Sequence, residues 1–151
     1  MQSAVLLLHS WLRWVALVSV VGVTLAALRN QVSGDRSVAD RWGMVAMMVL
    51  DLQMLLGLLL YLALSPITTG ALQNMSGAMQ NAQVRFWVVE HPAPMFLAVI
   101  LAHVGRVLAR KAPTPAAKRT RLLICFGLAT ALILLAMPWP GTPNERPLFR
   151  V

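Results

Sequence analysis

Four stretches of the chain, residues 5–28, 43–64, 86–108 and 122–137, run for sixteen to twenty-four residues with at most two Asp, Glu, Lys or Arg apiece. A hydrocarbon core ~30 Å thick takes ~20 helical residues to cross, so each stretch has roughly the length of a transmembrane helix. Strands would alternate apolar and polar residues, whereas these stretches are apolar on every side and rich in Leu, Ala and Met. Lipid gives the backbone no hydrogen-bond partner, and a helix satisfies its own. The expected fold is all-α, an integral membrane antiparallel four-helix bundle running up-down-up-down, in one domain of 151 residues.

The chain is 58% hydrophobic and 12% charged, against roughly half and a quarter in soluble domains. Water is therefore not its main solvent, and a soluble enzyme is excluded. The formal charge of +8 would suit nucleic acid only if the basic residues formed a surface. Instead they sit in loops. Arg29, Arg36 and Arg41, offset by Asp35 and Asp40, lie between the first two stretches; Arg106, Arg110, Lys111, Lys118, Arg119 and Arg121 lie around the last connection with no acid. The positive-inside rule makes both connections cytoplasmic, which puts both termini in the periplasm of a bacterial inner membrane and leaves no case for nucleic acid.

The connection from Ser65 to Val84 carries no charge, as a translocated segment should. Within it Leu72, Met75 and Met79 recur at helical spacing, which predicts one short amphipathic helix in the interface, roofing the outer end. Pro138-Trp139-Pro140 stops the last helix, and the tail after Gly141 is expected to run extended along the surface. The first stretch lacks the basic leader of a signal peptide and contains His9 and Arg13, so it reads as a retained helix. The single cysteine, Cys125, permits neither a disulfide nor a thiolate metal site within one chain.

Ionisable residues at membrane depth cost ~3 kcal/mol or more unless paired or wetted, so they carry most of the functional information. They are His9, Arg13, Asp51, Glu90, His91 and His103. At ~1.5 Å per residue, His9 lies about 6 Å and His91 about 8 Å below the outer boundary, on helices that start from the same side. Two histidines at one depth can ligate a haem iron axially, and haem b needs no covalent cysteine link. The same residues can equally form an interhelical hydrogen-bonded network. Arg13 shares the face of His9, and with Arg85 and Glu90 it could clamp haem propionates or a quinone head; alternatively Arg13 pairs with Glu90 or Asp51. Asp51 stands mid-helix, followed by Gln53, Gly57 and Tyr61 on the way out, and reads as a proton relay or a neutral carboxyl. His103, ~18 Å along the helix from His91, is expected to contact the basic loop. Met75, Met79 and Met95 read as packing before copper ligands, since methionine is abundant throughout.

The motifs His9-Ser10-x-x-Arg13-Trp14, Gln53-x-x-x-Gly57-x-x-x-Tyr61, Arg85-Phe86 with Glu90-His91-Pro92, Gly105-Arg106 and Pro138-Trp139-Pro140 together resemble a family of small bacterial four-helix membrane proteins labelled cytochrome b-like. The resemblance covers nearly the whole chain up to Pro140. In that pattern the position of Asp51 is commonly a histidine followed by x-Gln, so the departure here leaves His9 and His91 as the ligand pair. Two functions follow as expectations. One is a membrane electron-transfer protein or subunit holding haem b or a quinone near the periplasmic face, with His9, Arg13, Arg85, Glu90 and His91 at the site. The other is an accessory subunit of a larger respiratory or photosynthetic complex without its own cofactor, supported by the lack of any nucleophile, phosphate loop or complete metal motif. Neither has independent catalytic residues, and both imply other membrane subunits or a homo-oligomer as partners in the bilayer. A transporter lacks the repeats and broken helices that alternating access uses.

Overall fold

In a computed structural model the described residues are 1–34 and 36–149, and they form helices without strands. Four of these helices are long and apolar enough to cross a membrane, as Gln2–Leu28, Val38–Leu64, Ala82–Arg110 and Pro115–Ala136. This is a multi-pass membrane protein by composition and length. In chain order the elements are α1 (Gln2–Leu28), α2 (Val38–Leu59, closed by a π-helical turn Leu60–Leu64), α3 (Pro66–Gln73), α4 (Met75–Gln80), α5 (Ala82–Arg85, leading through a π-helical turn Phe86–Glu90), α6 (Pro92–Arg110) and α7 (Pro115–Ala136).

All four long helices start before the apolar stretches do, and three of them open on a polar cap, Ser37, Asn81 or Thr114. Ser37 opens α2 with a capping box: its hydroxyl accepts from Asp40 N while the Asp40 carboxylate accepts from Ser37 N. Thr114 caps α7, and Pro115 occupies the first helical position, where its missing N–H costs nothing. α1 ends in a Schellman motif, with Asn30 at φ 56°, Asn30 N bonded to Ala27 O and Gln31 N to Ala26 O.

α1 packs along α2 and α7, and α6 packs along α7 and more loosely along α2, so α1 and α6 occupy one diagonal. The core between them is made of small residues such as Ala16, Ala27, Ala46, Ala98, Ala102 and Ala129 around Phe126. Small side chains let helices approach closely where lipid offers no hydrophobic drive to associate them. Gly105 is the extreme case: a Cβ there would lie 2.5 Å from Cys125 Cβ. Outward-facing positions are the large apolar ones, including Leu62, Leu55 and Leu135, as a lipid-facing surface requires.

The basic residues gather at one end and close it. Lys118 Nζ lies 2.6 Å from Asp40 Oδ2, and Arg106 donates to Asp40 O. Arg119 donates to Ala27 O and Leu28 O, and Arg121 to Leu108 O. Arg119 and Arg121 thus bond carbonyls at the C-termini of α1 and α6, and their charge suits the negative ends of both dipoles.

At the opposite end the 65–85 connection differs from the single amphipathic helix expected. Asn74 and Asn81 break it into α3, α4 and α5, each Asn accepting from a backbone N–H of the helix it opens. The buried positions are Thr68, Ala71 and Ala78, while Leu72 and Met75 are exposed. Thr68 turns the chain here, donating to the carbonyls at the end of α2.

Candidate functional site

The three motif residues of α2 are four apart and therefore share a face, and each does a separate job there. Gln53 Nε2 donates to the carbonyl of His9 at 3.1 Å, fixing α1 against α2. Gly57 leaves room for the His9 ring, whose Cε1 would stand 3.3 Å from a Cβ at that position. Tyr61 OH donates to Val88 O at 3.1 Å. That carbonyl is free because its helical partner would be the nitrogen of Pro92, which has no hydrogen. The π-helical turn at 86–90 is the same effect in the backbone: the ladder skips one residue, with His91 N bonded to Phe86 O.

His91 is positioned by a second proline-freed carbonyl. Its Nδ1 lies 2.8 Å from Ala136 O, where α7 ends and where Pro140 cannot donate. A carbonyl only accepts, so Nδ1 carries the hydrogen and Nε2 keeps the lone pair, the arrangement of an imidazole ready to ligate a metal. His9 Nδ1 is buried and has no partner at all. Among the buried side-chain atoms without a partner are also Arg13 Nε and Gln53 Oε1.

His9 and His91 come from the two diagonal helices and face one cavity of about 510 Å³ between them. Arg13 lines the same cavity as both. The walls are largely apolar, from Leu50, Met54, Met95, Val99, Ile133 and Met137. The polar lining includes His9, Arg13, Gln53, Tyr61, His91 and Arg146, and among the described residues it includes no carboxylate. Two guanidinium groups therefore face the cavity without a compensating acid. Size, walls and a few convergent polar groups are those of a small-molecule or cofactor site. The residues also fit a haem: two imidazoles on opposite helices, one with its ring nitrogen anchored to a backbone carbonyl, and two cations for carboxylates.

Arg146 is the site residue that sequence reasoning missed. The tail does not run away along the surface but folds back over α1. Arg13 Nη2 donates to Pro147 O and Leu148 O, both at 2.8 Å, and Trp14 Nε1 donates to Leu148 O. Phe149 packs on Trp11 and Trp14, and Arg146 lies 4.8 Å over the Trp87 ring. A signal was present: an arginine in a segment assigned to the outside runs against the positive-inside rule.

The other expected site residues lie elsewhere. Arg85 Nε binds Glu90 Oε1 at 2.7 Å, and Arg85 also donates to Met79 O, so this pair staples α4 to the π-helical turn and does not line the cavity. Arg13 pairs with neither Glu90 nor Asp51. His103 does not turn to the basic loop: its Nε2 lies 3.3 Å from Asp51 Oδ1, with both side chains about half exposed on the outer face of α2 and α6. No protein-family model, curated protein or solved structure is detectably similar to this chain.

Proposed function

We propose that the chain is an inner-membrane electron-transfer protein or subunit that binds one haem b between His9 and His91. The observation that carries this reading is the pairing of two diagonal imidazoles on one cavity whose lining holds two guanidinium groups and, among the described residues, no carboxylate. Haem b is a dianion through its propionates, and guanidinium groups bind carboxylates in forked geometry. Arg13 and Arg146 would take the propionates, and the bond from His91 to Ala136 would hold its ring in the ligating tautomer. The apolar walls would keep water from the site. Once bound, the group supplies a one-electron iron couple.

The orientation follows from charge: the cavity, both termini and the 65–85 connection face the periplasm, and the Lys118 end faces the cytoplasm. A reporter fused after Gln73 should read periplasmic and one after Lys118 cytoplasmic; the reverse pattern would invert the site.

A quinone has one observation in its favour. Leu58, Val89 and Phe96 line the cavity yet are exposed on the outer surface, so the cavity reaches the lipid between α2 and α6. A quinone head is neutral, however, and would leave Arg13 and Arg146 uncompensated. The test is the reduced-minus-oxidised absorption spectrum of the purified protein together with solvent extraction. A low-spin b-type Soret shift on dithionite reduction supports haem; extracted quinone with no Soret band favours the second reading; neither would leave the accessory subunit without its own cofactor.

A further inference from the structure

Asp51 stands midway along the Val38–Leu64 span, and with His103 it forms a polar patch beside the exposed apolar residues Met48, Leu55, Ile100 and Val107. The side chains of Asp51 and His103 are 56% and 44% exposed. An ionisable pair facing hydrocarbon is costly even when the two groups touch: both His103 ring nitrogens are taken, Nδ1 by Val99 O at 3.0 Å and Nε2 by Asp51 Oδ1, but the Asp51 carboxylate keeps lone pairs toward lipid. The sequence around them is not random. Met48, Asp51 and Leu55 are spaced three then four along α2, and Ile100, His103 and Val107 have the same spacing along α6. All four apolar members are exposed, and α2 and α6 are the least covered of the four spans. Two parallel seams of this period, each with one polar residue at its middle position, are what a helix–helix interface uses to fix register and oligomer state.

We infer that this face is the interface with a second copy of the chain, in which Asp51 of each copy meets His103 of the other. The patch is self-complementary, since it presents one acid and one base side by side. A two-fold axis along the membrane normal keeps every residue at its own depth. Asp51 and His103 share a depth within one copy, so the axis sets each opposite its complement in the other, and all four groups are covered together. The flanking residues then match as well: α2 and α6 run in opposite directions, which places Leu55 opposite Ile100 and Met48 opposite Val107. A different partner would have to supply its own matching polar pair at this depth, whereas a second copy carries it already.

The test is disulfide formation between two differently tagged chains co-expressed in membranes, one carrying Leu55→Cys and the other Ile100→Cys, both in a Cys125→Ala background. A mixed-tag disulfide reads contact between copies only. We expect strong mixed-tag crosslinking, none above background for Leu135→Cys on the far side of α7, and about tenfold less when Asp51→Leu or His103→Leu is added, since interhelical polar contacts of this kind are worth ~1–2 kcal/mol in model peptides. Exchanging the pair, Asp51→His with His103→Asp, should restore the crosslink, which separates a lost interface from a misfolded chain. Crosslinking no higher than at Leu135→Cys, or crosslinking that Asp51→Leu leaves unchanged, or no recovery in the exchanged pair, would overturn the inference.

Discussion

The two ends of this bundle treat polarity in opposite ways. At the basic end Asp40, Lys118, Ser37, Arg106, Arg119 and Arg121 are joined to one another or to helix carbonyls. At the cavity end His9 Nδ1, Arg13 Nε and Gln53 Oε1 are buried without partners, and Asn144 Oδ1 in the tail is a fourth; among the described residues no such atom lies at the basic end. An unsatisfied buried polar group costs about 1–3 kcal/mol, so several at one end are not there for stability. On the proposed function one end closes the bundle and the other receives a ligand, and sites of function are where such local conflicts are expected.

The contrast is broken most directly by exchanging which end is damaged. His91→Ala should abolish cofactor retention while costing little stability, because the Ala136 carbonyl it frees lies at a helix end. Lys118→Ala should do the reverse: it leaves the mostly buried Asp40 carboxylate without its cation, destabilising the fold by about 1–3 kcal/mol with an unchanged spectrum. Thermal unfolding in detergent followed beside the absorption spectrum separates the two. Equal spectral loss in both variants would mean that the ends are not independent.

A smaller effect sharpens the site itself. Gly57→Ala adds a methyl 3.3 Å from His9 Cε1, close enough to push the ring by a few tenths of an ångström, and should weaken haem retention several-fold. Gly57→Val, with two more carbons in the same place, should lower it by about tenfold or more, following the general penalty for overpacking. The measurement is haem per chain after purification. Full occupancy in Gly57→Val would show that His9 is not held against α2 when the site is loaded.

The spans were legible because lipid permits so little else: four apolar runs admit hardly any reading but four helices. The shared position of His9 and His91 was legible for a related reason, since polar residues on helices starting from one side must avoid lipid together. What was hidden depends on register and on distant chain. Arg85 and Glu90 meet five residues apart because a π-helical turn aligns them, a geometry that helical spacing does not anticipate. Arg13 finds its partners 134 and 135 residues away in the tail, which no local pattern indicates. Asp51 and His103 meet because of the offset between α2 and α6, and counting residues within either helix does not give that offset. Ser37-x-x-Asp40 and Thr114-Pro115 were readable caps, but they lie outside the apolar runs by which the helix limits were drawn.

The most direct test of the account is titration of cofactor-free protein in lipid nanodiscs with haemin, read by the Soret band and by the low-spin signature of two imidazole ligands. The wild-type chain should saturate at one haem per chain with a bis-histidine spectrum, and His9→Ala and His91→Ala should each fail to give that spectrum while keeping their helical content. Binding of equal strength and identical spectrum in either histidine variant, or no saturable binding in the wild type, would contradict it.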